Sequence, residues 1–262
     1  MKIGIFDSGV GGLTVLKAIR NRYRKVDIVY LGDTARVPYG IRSKDFTTII
    51  RYSLECAGFL KDKGVDIIVV ACNTASAYAL ERLKKEINVP VFGVIEPGVK
   101  EALKKSFTRN KKIGVIGTPA TVKSGAYQRK LEEGGADVFA KACPLFVPLA
   151  EEGLLEGEIT RKVVEHYFTL KEFKGKIDTL ILGCTHYPLL KKEIKKFLGD
   201  VEVVDSSEAL SLSLHNFIKD DGSSSLELFT FFTDLSPNLQ FLIKLILGRD
   251  YPVKLAEGVF TH

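Results

Sequence analysis

The 262-residue chain has no tryptophan, one methionine, four cysteines and four histidines, and each scarcity narrows what the protein can be. Cys56, Cys72, Cys143 and Cys184 lie far apart, and none forms a Cys-x-x-Cys pair. That spacing argues against a disulfide scaffold and a zinc ribbon, so a functional cysteine here acts as a reduced thiol. Long apolar runs are missing as well. The most continuous one, residues 67–72, is far too short to cross a bilayer, so no membrane association is expected. Met1-Lys2 leads straight into Ile-Gly-Ile-Phe, without an apolar h-region or a small-residue cleavage site, and a cytoplasmic protein is expected. The formal net charge of +6 comes from scattered lysines such as Lys191, Lys192, Lys195 and Lys196, with no basic arm interleaved with aromatics. Solvated helix faces account for that pattern, and nucleic acid is not an expected partner.

What the chain does contain is an alternation. Apolar, β-branched runs at 3–6, 28–31, 67–71, 91–94, 113–116, 180–183 and 201–204 are separated by segments of helical period. Continuous apolar runs suit strands covered on both faces, which predicts an α/β fold with parallel-type sheets flanked by helices. Leu13, Leu16, Ile19 and Tyr23 share one helix face, and Pro188 and Gly199 bracket another helix carrying Leu190, Ile194 and Phe197. The chain also matches itself. Ile3-Gly-Ile-Phe-Asp-Ser parallels Ile113-Gly-Val-Ile-Gly-Thr, Val65-Asp-Ile-Ile-Val-Val-Ala-Cys-Asn-Thr parallels Ile177-Asp-Thr-Leu-Ile-Leu-Gly-Cys-Thr-His, and 91–95 parallels 201–205. Two similar lobes related by a pseudo-twofold axis are predicted, with residues 1–97 and 208–262 in the first and 98–207 in the second.

Ligands of parallel sheets bind beyond the carboxyl ends of the strands. Each paired motif ends there, so two facing lobes would bring Cys72 and Cys184 to one cleft from opposite sides. Two opposed thiols meet the need of a two-base racemase, in which one group removes a proton and the other delivers one to the opposite face of the planar intermediate. A free thiol is only slightly ionised at neutral pH and needs help. His186, two residues past Cys184, and Asp7, at the end of the first strand, are the candidate assistants. A carboxylate beside a thiol raises the thiol pKa, which casts Asp7 as a proton acceptor or an ammonium anchor. Ser8, Asn73, Thr74, Thr118, Thr121 and Thr185 could hold carboxylates with helix N-termini, although such residues are also ordinary N-caps. The Gly-rich turn Asp7-Ser-Gly-Val-Gly-Gly lacks the full nucleotide-binding spacing and carries an acid that would repel phosphate. Cys184 and His186 lack a second ligand pair, so no metal is expected. Cys56 and Cys143 read as core residues.

Ile5-Phe-Asp-Ser-Gly-Val-Gly-Gly-Leu-Thr-Val, Leu31-Gly-Asp-Thr-Ala-Arg-Val-Pro-Tyr-Gly, Ala71-Cys-Asn-Thr-Ala-Ser-Ala and Gly183-Cys-Thr-His-Tyr-Pro-Leu-Leu together resemble the glutamate racemase family, within the aspartate/glutamate racemase superfamily. The resemblance implies interconversion of L- and D-glutamate without a cofactor, supply of D-glutamate for peptidoglycan, and a homodimer of two-domain subunits. It makes Cys72 the thiol that serves D-glutamate and Cys184 the one that serves L-glutamate, assisted by Asp7 and His186 respectively. It adds substrate contacts at Tyr39 and Gly40, and points to Glu151 in Pro148-Leu-Ala-Glu as a polar site residue, with Glu152 as the rival position. Val37 departs from the small or polar residue common before Pro-Tyr-Gly, and the Phe-rich stretch 228–233 matches only loosely. An aspartate racemase on the same two-thiol scaffold and a non-catalytic amino-acid-binding module are the alternative readings.

Overall fold

A computed structural model describes residues 1–36, 39–42, 45–107, 109–168, 173, 175–218 and 227–259. Val37 and Pro38 of the Pro-Tyr-Gly motif lie outside the described residues. Among the described residues ten strands form two all-parallel sheets: β1 (Lys2–Asp7), β2 (Asp27–Gly32), β3 (Ile67–Val70), β4 (Val91–Gly93), β5 (Lys112–Gly117), β6 (Asp137–Ala142), β7 (Thr179–Gly183), β8 (Glu202–Asp205), β9 (Leu228–Phe232) and β10 (Val253–Leu255). The first sheet runs β10-β9-β2-β1-β3-β4 and the second β6-β5-β7-β8. The order β2-β1-β3-β4 is the order β6-β5-β7-β8 with each strand replaced by its counterpart, as the internal sequence match requires.

Helices cover both faces of each sheet, and the strands therefore bury both sets of side chains. Along β3 and just beyond it the side chains alternate: Ile67, Val69 and Ala71 face one core, while Ile68, Val70 and Cys72 face another. The same alternation on β7 sends Leu180 and Leu182, with Cys184 beyond them, to a third core and Ile181 to the first. Each buried Leu, Ile or Val contributes about 1.5–3 kcal/mol relative to exposure. The first core is shared, because it joins Leu13 and Ile19 of the helix Leu13–Arg22 to Val99, Ile113 and Tyr127 of the second half. The two sheets thus share one apolar seam along one side.

β6, β9 and β10 are strands that the apolar runs did not announce. β6 is an edge strand whose residues are half-buried or exposed, so its sequence lacks a continuous apolar run. The Phe-rich stretch forms β9, which pairs with β2 and extends the first sheet. Among the described residues no helix is long and apolar enough to cross a membrane.

Candidate functional site

The strand registers decide which residues meet. β1 lies between β2 and β3, with Phe6 opposite Val70 and Asp7 opposite Gly32, so Asp7-Ser8 and Cys72 leave the sheet side by side. In the second sheet Gly117 is opposite Gly183, which places Thr118 beside Cys184. Cys72 caps the helix Asn73–Tyr78, and its Sγ accepts the Ala75 N–H at 3.5 Å. Thr118 caps the helix Pro119–Ser124 through the Thr121 N–H at 3.4 Å. The capping positions are therefore also the site positions.

Both thiols line one narrow cavity, together with Ser8, Tyr39, Gly40, Asn73, Thr74, Thr118, Thr185 and His186. Each thiol residue is 6% exposed, and the described lining contains no lysine or arginine. The cavity measures ≈ 20 Å³. A groove of ≈ 680 Å³ elsewhere, beside Lys17 and Arg22, touches neither thiol. The thiols lie at the smaller of the two.

The two thiols have different neighbours. Cys72 donates to the Ser8 hydroxyl across 3.7 Å. Burial, followed by the nearby Asp7 carboxylate, pushes the Cys72 pKa up to about 12. Cys184 lies 3.8 Å from His186 Nδ1, and His186 Nε2 lies 3.0 Å from Glu151 Oε1. Burial alone would lower the His186 pKa, but hydrogen bonds to Cys184 and Glu151 outweigh it and raise the pKa to about 10. Imidazolium is thus the favoured state of His186 at neutral pH, and it stands beside the Cys184 sulfur.

Asp7 sits behind the cavity wall and is fully buried. It accepts from the Gly9 N–H at 3.0 Å and from the Thr185 hydroxyl at 3.3 Å. Burial raises its pKa, partly countered by His186 and by hydrogen bonds from Gly9, Gly12 and Thr185. The glycines of the Asp7–Gly12 turn serve packing, because a Cβ at Gly11 would stand 2.6 Å from His186 Nδ1. Only a glycine lets the first lobe approach the imidazole this closely. Gly40 plays the matching part opposite Thr74, whose Oγ1 would lie 2.6 Å from an added Cβ.

The structure thus brings Ser8, Tyr39, Gly40, Cys72, Asn73, Thr74, Thr118, Cys184, Thr185 and His186 to one cavity, with three of the expected site residues behind them. Asp7 is one. Thr121 is another, bonding to Thr74 at 2.9 Å and Thr118 at 3.0 Å. Glu151 is the third, reaching the cavity only through His186. Glu151 holds the imidazole, while Glu152 follows at the end of the helix Phe146–Glu151. Val147 lines the cavity and was missed, although it lies one helical turn before Glu151. Tyr127, which donates to Asn73 Oδ1 at 2.6 Å, carried no motif signal. Among the described residues no group of three or more His, Cys, Asp or Glu side chains could hold a metal ion.

Known proteins share the sequence and the fold of this chain. Residues 3–212 match the family model described as Asp/Glu/Hydantoin racemase. The chain is 97% identical to the glutamate racemase of Aquifex pyrophilus over 262 residues, covering 100% of both chains. It is 70% identical over 261 residues to the glutamate racemase of Aquifex aeolicus, again covering 100% of both. The solved structure of the Aquifex pyrophilus protein superposes with a TM-score of 0.85 at 94% identity, covering 99% of this chain and 100% of that one.

Proposed function

Because the chain belongs to the Asp/Glu/hydantoin racemase family, and within it to the glutamate racemases, we propose that it interconverts L- and D-glutamate by a two-base mechanism on Cys72 and Cys184. The observation that carries this reading is that two thiols from corresponding strand ends of the two sheets line one cavity. Cys184, beside the His186 imidazolium, takes the α-proton of L-glutamate, and the protonated Cys72 delivers a proton to the opposite face. The reverse direction exchanges the roles. Cys72 must then ionise beside Asp7, which costs little only if Asp7 takes up a proton, and its raised pKa equips it to do so.

The cavity lining suits an amino-acid dicarboxylate. Ser8, Asn73, Thr74, Thr118 and Thr185 offer neutral donors, supplemented by backbone N–H groups at the capped helix starts. A cavity of ≈ 20 Å³ holds little more than one water, so glutamate enters when the two lobes part and reacts when they close. No external cofactor is required in this scheme, because the protein's own thiols supply both proton transfers. The reaction would provide D-glutamate for peptidoglycan, from a cytoplasmic enzyme that works as a homodimer.

The deciding experiment incubates reduced, chelator-treated protein with D-glutamate and separately with D-aspartate in D₂O, following optical rotation and α-deuteration. Loss of rotation with deuterium at Cα for glutamate alone is expected. Turnover of aspartate would move the substrate assignment, and folded protein that exchanges neither would leave an amino-acid-binding module. Light scattering after size exclusion checks the dimer, with a monomeric active species as the contrary result.

A further inference from the structure

Asn73 has an unusual position among the cavity residues. It is 2% exposed, its Oδ1 accepts the Tyr127 hydroxyl at 2.6 Å, and its Nδ2 has no hydrogen-bond partner among the described residues. A buried amide with its oxygen bonded and its nitrogen unsatisfied incurs a penalty unless a ligand completes it. An asparagine can also place either end of its amide at a given point, so something must decide which end faces the cavity. Tyr127 is fully buried on the helix Ala126–Glu133 and reaches Asn73 across the junction of the two halves. Burial, with Asp205 and Cys184 nearby, raises its pKa against the lowering effect of a hydrogen bond with Ser206 and keeps the phenol protonated, so it can donate to Asn73.

We propose that Tyr127 is a positioning residue for the racemisation: by donating to Asn73 Oδ1 it locks the amide so that Nδ2 is presented to a carboxylate of the substrate. The proposal rests on the glutamate-racemising reading of the same cavity and assigns to it a residue from the opposite lobe. It also gives lobe closure a local consequence, because the Asn73 donor is aligned only while Tyr127 is in place.

The test is a double-mutant cycle on the full chain, using Tyr127→Phe, Asn73→Ala and the pair, with KM and kcat for both enantiomers and the melting temperature of each protein. Removing the phenolic hydroxyl should raise KM roughly 3- to 10-fold, the worth of one neutral hydrogen bond, with kcat changed less than about 2-fold. In the Asn73→Ala background Tyr127→Phe should leave KM within about 1.5-fold, because residues acting through one contact are not additive. An equal KM increase in both backgrounds, or none in either, would overturn the proposal. Should Tyr127→Phe fold poorly, the same cycle is run with Tyr127→Leu. A melting temperature that falls without the KM pattern marks the phenol as structural and likewise overturns it. Absence of glutamate turnover by the unaltered protein would instead defeat the underlying functional reading, an outcome visible before any variant is made.

Discussion

The Cys72 and Cys184 arms begin from the same design, a buried parallel strand that delivers a cysteine to its carboxyl end, and they finish in opposite electrostatic surroundings. At Cys72 the neighbours are a hydroxyl, a backbone N–H and a buried carboxylate, and the thiol is pushed up to about 12. At Cys184 the neighbour is an imidazole held near 10 by the sulfur and by Glu151. Repeated topology supplies the opposed geometry, while unlike neighbours distinguish the two thiols. Under the proposed two-base mechanism, a chemically symmetric reaction would be served by asymmetric surroundings.

The severest perturbation of the two arms removes one sulfur at a time. Cys72→Ala and Cys184→Ala should each lower racemisation by at least on the order of 10³-fold with the fold intact by circular dichroism, since one face then lacks the group that gives or takes its proton and racemisation needs both. Substantial racemisation by either variant would end the two-base assignment. Next come the assistants. His186→Asn and Asp7→Asn should each cost on the order of 10²-fold in kcat/KM. Enantiomers have equal free energy, so kcat/KM must fall equally in both directions, and the asymmetry has to be sought in isotope effects. The primary deuterium effect should grow for L-glutamate in His186→Asn and for D-glutamate in Asp7→Asn. Asp7→Asn carries a further sign test. If Asp7 acted only by repelling the Cys72 thiolate, removing its charge would speed the reaction, whereas a proton acceptor slows it when lost.

Glu151→Gln addresses the Cys184 arm alone and more gently. Without the carboxylate the His186 pKa falls from about 10 toward the ordinary value near ~6.5, and the basic limb of the rate profile should move to lower pH. Stability follows the same linkage. A base whose pKa is raised on folding contributes in full below about 6.5 and loses that contribution as pH rises through about 10. The melting-temperature gap between the native protein and Glu151→Gln should therefore be widest in mild acid and close in strong base. Because the Glu151 side chain is 41% exposed, the gap should correspond to no more than about 1 kcal/mol. An unmoved rate profile would detach Glu151 from the Cys184 arm.

Much of this asymmetry was legible in the residues. Cys72 and Cys184 sit at the ends of matched apolar runs, and Asp7 and His186 stand where the two halves of the match diverge. Periodicity reveals central strands because burial on both faces imposes it. β6, at an edge, escapes for the opposite reason, and β9 is visible only as aromatic content. Tyr127 and Val147 escaped because their roles arise from the approach of helices that no short motif encodes. The Asp7–Gly12 turn could be read from spacing as unsuited to nucleotide, but that Gly11 exists to admit His186 needs the third dimension.

The smallest expected effect lies where the repeat places Gly11 in one half and Thr121 in the other, each three residues past Ser8 or Thr118. Gly11 is bare so that His186 can approach, while Thr121 fills the corresponding position and bonds behind the cavity to Thr74 and Thr118. Thr74 and Thr118 also bond to each other at 3.0 Å, so loss of the third hydroxyl leaves the two cavity hydroxyls paired. Thr121→Val keeps the shape and should cost about 1 kcal/mol of stability, the net worth of a hydrogen bond, with kcat/KM changed less than about 3-fold. Thr118→Val, measured beside it, should raise KM more, because Thr118 faces the cavity. If the two variants raise KM alike, Thr121 reaches the substrate after all, and the Thr118 side of the cavity closes further around glutamate than this structure does.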